Sequence, residues 1–232
     1  MKTTLFAGVL LMTATTLMAA DAAPKDDVTS GIKALGDKTN YTWHTTVVVP
    51  DDTPFKPGPT DGKAEKGGCT YVKMSFGDNA GTEFALKGDK GVIHSEDAGW
   101  QSLADLQKSE GPGQFFAMIV QNFKAPVAEA TDLAGASKEI KKDADTYSSD
   151  LTEAGAAKML SWRGAENTVT NAAGSVKFWL KDGVLSKYEF KLKGTVTFGD
   201  NPMSVDRDST VEIKDVGATS VGVPDEAMKK LQ

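Results

Sequence analysis

Val184-Leu185-Ser186-Lys187-Tyr188-Glu189-Phe190-Lys191-Leu192-Lys193-Gly194-Thr195-Val196-Thr197-Phe198 decides the fold class. Its even positions carry Val184, Ser186, Tyr188, Phe190, Leu192, Gly194, Val196 and Phe198, while its odd positions carry Leu185, Lys187, Glu189, Lys191, Lys193, Thr195 and Thr197. Side chains alternate across a strand with period two, so this stretch predicts one apolar and one charged face. At ~3.4 Å per residue the strand would run roughly 50 Å, far beyond ordinary length. A sheet so long has to coil, and Gly194 stands where a kink would let it do so. Something must cover the apolar face.

Neighbouring segments read as partners of this strand. Val176, Phe178 and Leu180 alternate with Lys177, Trp179 and Lys181, and Lys181-Asp182-Gly183 is a hairpin turn into the long strand. After a loop over Gly199 to Met203, the segment Ser204 to Val216 reads as the returning strand. Asp206-Arg207-Asp208 reads as a local ion pair at a loop edge.

Earlier in the chain, Tyr41 to Val49 is β-branched and aromatic and predicts a strand. Cys69 to Phe76, Thr82 to Lys87 and Gly91 to Ser95 predict three more, separated by Gly- and Asp-containing turns. Pro50 to Gly68 collects four prolines and four glycines and reads as a long loop. Ser137 to Tyr147 reads as an edge strand or pair guarded by lysines.

Helical spacing appears in other segments. Val28, Ile32 and Leu35 form an amphipathic helix that starts in acidic residues and stops at Gly36. Trp100, Leu103 and Leu106 predict a short helix. Gln114 to Asn122 predicts one that is apolar around most of its circumference and therefore buried. Pro126 to Leu133 predicts a third, Thr152 N-caps a fourth through Met159 to Trp162, and Pro224 to Leu231 reads as a short terminal helix or tail. The connections between strands are short, which favours antiparallel pairing. The expected fold is α+β, a strongly curved antiparallel half-barrel of about nine to eleven strands with helices on its concave face.

The N-terminus has its own signature. Met1-Lys2, the apolar run Leu5 to Leu11 and the small-residue site Ala20-Asp21-Ala22 compose a secretory signal peptide over residues 1–22. No Cys lies near the cleavage point to take a lipid. Residues 23–232 then form one β-rich domain, periplasmic or secreted, with no membrane-spanning segment. The chain has 26 basic and 32 acidic residues, a formal charge of −6, which excludes a nucleic-acid partner of the usual basic kind. Arginine occurs only at Arg163 and Arg207. Cys69 has no second cysteine to pair with, and its strand position predicts a partly buried, inert thiol.

The common catalytic patterns are missing: no Gly-rich phosphate loop, no G-x-S-x-G and no H-E-x-x-H. His44 reads as an exposed strand residue. His94-Ser95-Glu96-Asp97 has triad residue types, but neighbours in a strand point apart and cannot converge. Asp143, Asp145 and Asp150 lack the glycine and closing glutamate of a calcium loop, so no metal site is predicted. Asn40-Tyr41-Thr42 is a formal glycosylation sequon. Neither catalysis nor a cofactor is expected.

The whole arrangement resembles the LolA/LppX-like carriers. The resemblance rests on the leader, the first amphipathic helix, the many-stranded sheet and the helical insertion midway. Phe178-Trp179-Leu180-Lys181-Asp182-Gly183-Val184-Leu185 with Tyr188-Glu189-Phe190 is similar to that family's late hairpin. Thr210-Val211-Glu212-Ile213 and Val223-Pro224 look like its closing strand and exit. The resemblance implies an envelope protein whose half-barrel holds acyl chains, of a lipid or an acylated protein, beneath a helical lid. The residues expected to line such a site are Phe178, Leu180, Tyr188, Phe190, Leu192 and Val196 on the sheet. Phe115, Met118 and Ile119 would face them from the lid. The competing expectation is an envelope interaction or scaffold protein with a filled core.

Overall fold

A computed structural model describes residues 23–232 except 54–55, 77–78, 96, 109–111 and 162–165. The expected leader over residues 1–22 lies outside them. The elements run α1 (Pro24–Gly36), β1 (Asn40–Val48), β2 (Pro57–Glu65), β3 (Thr70–Phe76), β4 (Asn79–Lys87), β5 (Lys90–Ser95) and β6 (Gly99–Ser102). Then come α2 (Leu103–Leu106), α3 (Pro112–Asn122), α4 (Pro126–Ala136), β7 (Lys141–Asp143), β8 (Thr146–Asp150) and α5 (Glu153–Leu160). The long strands β9 (Asn167–Lys181), β10 (Val184–Phe198) and β11 (Asn201–Lys214) follow, with α6 (Asp225–Lys230) last.

All eleven strands form one open, curved antiparallel sheet in the order β6-β5-β4-β3-β2-β1-β11-β10-β9-β8-β7. Strands β1 to β6 make one meander and β7 to β11 another, joined where β1 pairs with β11. The chain therefore leaves the sheet at one edge, β6, and re-enters at the opposite edge, β7. Ten inter-strand spacings at ~4.8 Å separate those edges by roughly 48 Å of curved sheet. The intervening segment has to cross a face of the sheet, and α2, α3 and α4 lie in it. The helical cover follows from the strand order.

The inner, concave layer is one continuous apolar cluster. Val28, Ile32 and Leu35 of α1, Ala130 and Leu133 of α4, and Ala156 and Leu160 of α5 join Phe178, Tyr188, Leu192 and Val196 in it. Close approach is bought with missing side chains. A Cβ at Gly31 would come within 2.5 Å of Leu180 Cδ2, and one at Gly194 within 2.7 Å of Leu160 Cδ1. Helix α5 starts as its sequence predicts, with Thr152 Oγ1 accepting the Gly155 amide at 3.0 Å.

The loop expected over Gly199 to Met203 shortens to a turn at Gly199 and Asp200, because Asn201, Pro202 and Met203 already pair with β10. Three further expectations change. Pro57–Glu65 is a strand, although proline, glycine, aspartate and lysine fill it and the sequence reads as loop. Its pairing with β1 and β3 decides the matter, and its inward positions Thr60, Gly62 and Ala64 are small. Trp43 explains why, since a Cβ at Gly62 would sit 1.9 Å from Trp43 Cζ2. Second, the alternation of β10 is broken at Ser186, where Leu185 pairs with Leu180 but Lys187 with Trp179. This bulge turns Leu185 inward and fully buries it, so the charged face predicted for it begins only at Lys187. Third, Gly99–Ser102 is an edge strand, and the helix predicted from Trp100 begins only at Leu103, N-capped by Ser102.

The outer face carries a second, smaller core. Cys69, Tyr71, Ala85, Val92 and Trp100 pack there against Ala227 and Leu231 at the C-terminus. Their strand neighbours Val72, Phe84 and Ile93 belong to the inner cluster, so β3 to β5 are buried on both faces. Burial pushes the Cys69 thiol up, and its sulfur lies 3.6 Å from Met228 Sδ, which fits the inert thiol expected.

Candidate functional site: the inner face and its helical cover

The sheet residues expected to line a ligand site do share the inner face. Phe178, Tyr188, Phe190, Leu192 and Val196 are buried there, and Leu180 is half-buried beneath α1. Tyr188 anchors an aromatic row, with ring centroids 6.2 Å from Phe190 and 6.4 Å from Phe178. The cover directly on β9 and β10 is α1 and α5, with α4 reaching Tyr188 through Glu129.

Helix α3 is placed differently from its sequence reading. Ala117 and Val120 turn inward, Met118 and Ile119 are half-buried, and Phe115 is 48% exposed. A helix apolar on most sides reads as buried, but this one lies at the surface with small residues inward. Phe123, just beyond it, does the covering over β1 and β4. Its ring lies 6.3 Å from Trp43 in a stacked pose and 5.0 Å from Phe84 edge-on.

Polar groups pin the cover to the sheet. The Tyr188 hydroxyl donates to Glu129 Oε2 at 2.7 Å. The Tyr147 hydroxyl donates to Asp27 Oδ2 of α1 at 2.9 Å, with Lys142 Nζ at 3.8 Å. Within the cover itself, Asp132 of α4 receives Lys124 at 2.6 Å and Lys158 of α5 at 3.2 Å, tying the helices to one another. Burial raises the Glu129 carboxyl above its ordinary value, against the pull of the Tyr188 hydrogen bond and the charges of Arg207 and Lys124. Burial also raises the Tyr188 hydroxyl, reinforced by Glu129, and pushes Tyr41 up to about 12.

Arg207 is the residue that sequence reasoning misplaced. Asp206 pairs with Lys193 at 3.0 Å and Asp208 pairs with Lys191, both on the outer face. Neighbouring side chains in a strand point apart, so Arg207 turns inward and makes no local pair. Its guanidinium lies 6.0 Å from the Phe190 ring centroid, and its Nε is buried without a hydrogen-bond partner. Burial lowers its pKa, with Glu129 opposing the shift. The residue as a whole is half-buried, so the cost falls on the enclosed Nε, a donor withdrawn from water with nothing to receive its hydrogen. The signal was present in the alternation Val205, Arg207, Ser209, Val211, Ile213, four members of which are uncharged.

The outer face has a half-open groove of about 350 Å³ lined by Thr42, His44, Asp61, Lys63, Lys73 and Lys214 among others. Most of its charges are already matched: His44 Nδ1 meets Asp61 at 2.7 Å, Lys73 meets Glu83 at 2.7 Å and Lys214 meets Glu212 at 3.0 Å. Among the described residues no cluster of His, Cys, Asp and Glu could hold a metal ion, and no helix is long and apolar enough to cross a membrane.

An open sheet whose concave face is closed by a crossing helical segment can be compared with known structures. The crystal structure of the Mycobacterium tuberculosis lipoprotein LppX aligns over 87% of this chain and 99% of its own, with a TM-score of 0.50 and 14% identity. The fold is the LppX-like half-barrel. LprF from Mycobacterium bovis aligns over 87% of this chain and 96% of its own, with a TM-score of 0.44 and 12% identity. No protein-family model matches the sequence, and no curated protein matches it.

Proposed function

We propose that this protein is an exported envelope carrier that holds an apolar ligand, a lipid or an acylated protein, between its curved sheet and its helices, without catalysis. The observation that carries the reading is the helical cover, α1 and α5 directly on β9 and β10 and the crossing segment beside them. An apolar concave wall is closed by separate short helices whose polar ties sit at a few points. Such a layer can part from the wall as a unit, and a hydrocarbon chain then replaces one apolar surface by another. Each buried apolar Å² contributes ~25 cal/mol to that exchange. The wall is Phe178, Leu180, Tyr188, Phe190, Leu192 and Val196, with Phe115, Met118 and Ile119 on the outer part of the cover, where an incoming chain would meet them. The leader-like residues 1–22 support a periplasmic or secreted location.

One observation favours a second reading. Phe178, Tyr188 and Leu192 are fully buried against the protein's own helices, as in an interaction or scaffold protein with a permanent core. Native mass spectrometry before and after organic extraction separates the two. A carrier loses a bound mass of lipid size and regains it on incubation with lipid. An unchanged apo mass, with no uptake of a fluorescent acyl probe, supports the scaffold and refutes the carrier.

A further inference from the structure

Arg207 stands on the inner face beside Phe190 with its Nε enclosed and unpartnered. Its guanidinium has five N–H donors in a planar fork, and among the described residues none reaches a carboxylate at hydrogen-bond or ion-pair distance. Both flanking aspartates are committed to lysines on the other face. Glu129 attracts it through space, but Glu129 Oε2 holds the Tyr188 hydroxyl at 2.7 Å, and burial favours the protonated form of that carboxyl. Tyr41 and Tyr188 are neutral, and Lys124 is tied to Asp132 at 2.6 Å. The inner face thus presents a half-buried cation whose Nε is enclosed without a partner, with no carboxylate committed to it.

Its surroundings define what the anion is attached to. Leu192 stands directly across from Arg207 on β10, and Phe190 and Gly194 are its diagonal neighbours. The same inner face continues to Val196, which is buried. A guanidinium fork is matched by the paired oxygens of a carboxylate or a phosphate, and of the two the carboxylate carries the smaller charge and needs the less room beside Phe190 and Leu192; lysine, which supplies nearly all other basic groups here, offers only a point charge.

We propose that Arg207 receives the carboxylate of an acyl-chain acid, so that the cargo is a fatty-acid-like amphiphile held head-inward with its chain along Phe190, Leu192 and Val196. The proposal rests on the carrier reading above. The test compares cis-parinaric acid with its methyl ester, two fluorescent probes with the same chain and different charge. The unaltered protein should bind the acid at least about tenfold more tightly than the ester, the value of one charge-assisted hydrogen bond. Arg207→Met should bind both alike, at the affinity of the ester. Arg207→Lys should keep part of the preference. Circular dichroism shows whether each variant folds; the acid–ester comparison on the unaltered protein needs no variant. Equal binding of both probes overturns the carboxylate site and leaves the carrier standing. Binding of neither overturns the carrier reading and this proposal together.

Discussion

Gly62→Ala tests the least expected element of the fold, strand β2. A Cβ placed at Gly62 falls 1.9 Å from Trp43 Cζ2, 2.2 Å from Cε2 and 2.3 Å from Cη2. The indole is a rigid plate and buried, with Tyr41 at 6.0 Å and Phe123 at 6.3 Å between ring centroids. It cannot bend away as a lysine end would. It has to tilt as a whole and weaken its stacking on Phe123. Overpacking of this kind costs about 1–3 kcal/mol, and a disturbed aromatic pair adds about 0.5–1.5 kcal/mol. Replacing glycine returns about 0.4–1 kcal/mol through the stiffer unfolded chain. The expected net loss is about 2–3 kcal/mol, or roughly 5–10 °C in Tm for a domain of this size. Urea unfolding followed by far-UV circular dichroism measures it without relying on Trp43 fluorescence. In a Trp43→Leu background the same substitution should cost under ~0.5 kcal/mol, a coupling of about 2 kcal/mol. A loss below ~0.5 kcal/mol in the unaltered protein, or equal losses in both backgrounds, refutes the placement of Gly62 beneath the indole.

Other expectations follow from the cover. Glu129 has its folded-state pKa raised by burial, so the folded protein keeps a proton that the unfolded chain has released. Its contribution is fully present below the ordinary glutamate value and declines as pH rises through the folded value. Glu129→Gln should remove that decline from urea midpoints measured at a series of pH values; an unchanged slope contradicts the burial argument. Ending the chain after Val223 uncovers Cys69, and its labelling by a disulfide reagent under native conditions should accelerate at least ~10-fold. Unaltered labelling would mean that the terminal helix does not shield the outer core. Phe115→Ser should change stability by less than ~0.5 kcal/mol, whereas Val120→Ser should cost on the order of 2–4 kcal/mol. Reversed magnitudes in urea unfolding would turn α3 over.

Much of the architecture was legible in the chain, because period-two alternation reports which residues share a face. The bounds of β10, Val184 to Phe198, and the hairpin at Asp182 and Gly183 follow directly from it, as do α1, α4 and α5 from spacing and caps. Alternation fails where one residue is inserted. At Ser186 a bulge that no propensity marks turned Leu185 to the other face. Local propensity failed at Pro57–Glu65, since small, turn-forming residues there serve the indole of Trp43, a partner fourteen or more residues away. The candidate site shows the same division. The sheet wall of Phe178, Tyr188, Phe190, Leu192 and Val196 was readable, but which helices face it was not.

The sequence alone determined an antiparallel sheet with one long apolar wall, helices between two strand blocks, and a single unpaired thiol. Tertiary structure decided that β1 pairs with β11. That pairing sets the two free edges at opposite ends and drives the connecting helices across the concave face. It also decided the environment of Arg207, which its sequence neighbours suggested was a surface ion pair. Facing is a local property of a strand, fixed by the geometry of each residue. What stands opposite a face depends on strand order and crossing chains, which are set by the free energy of the whole packed sheet.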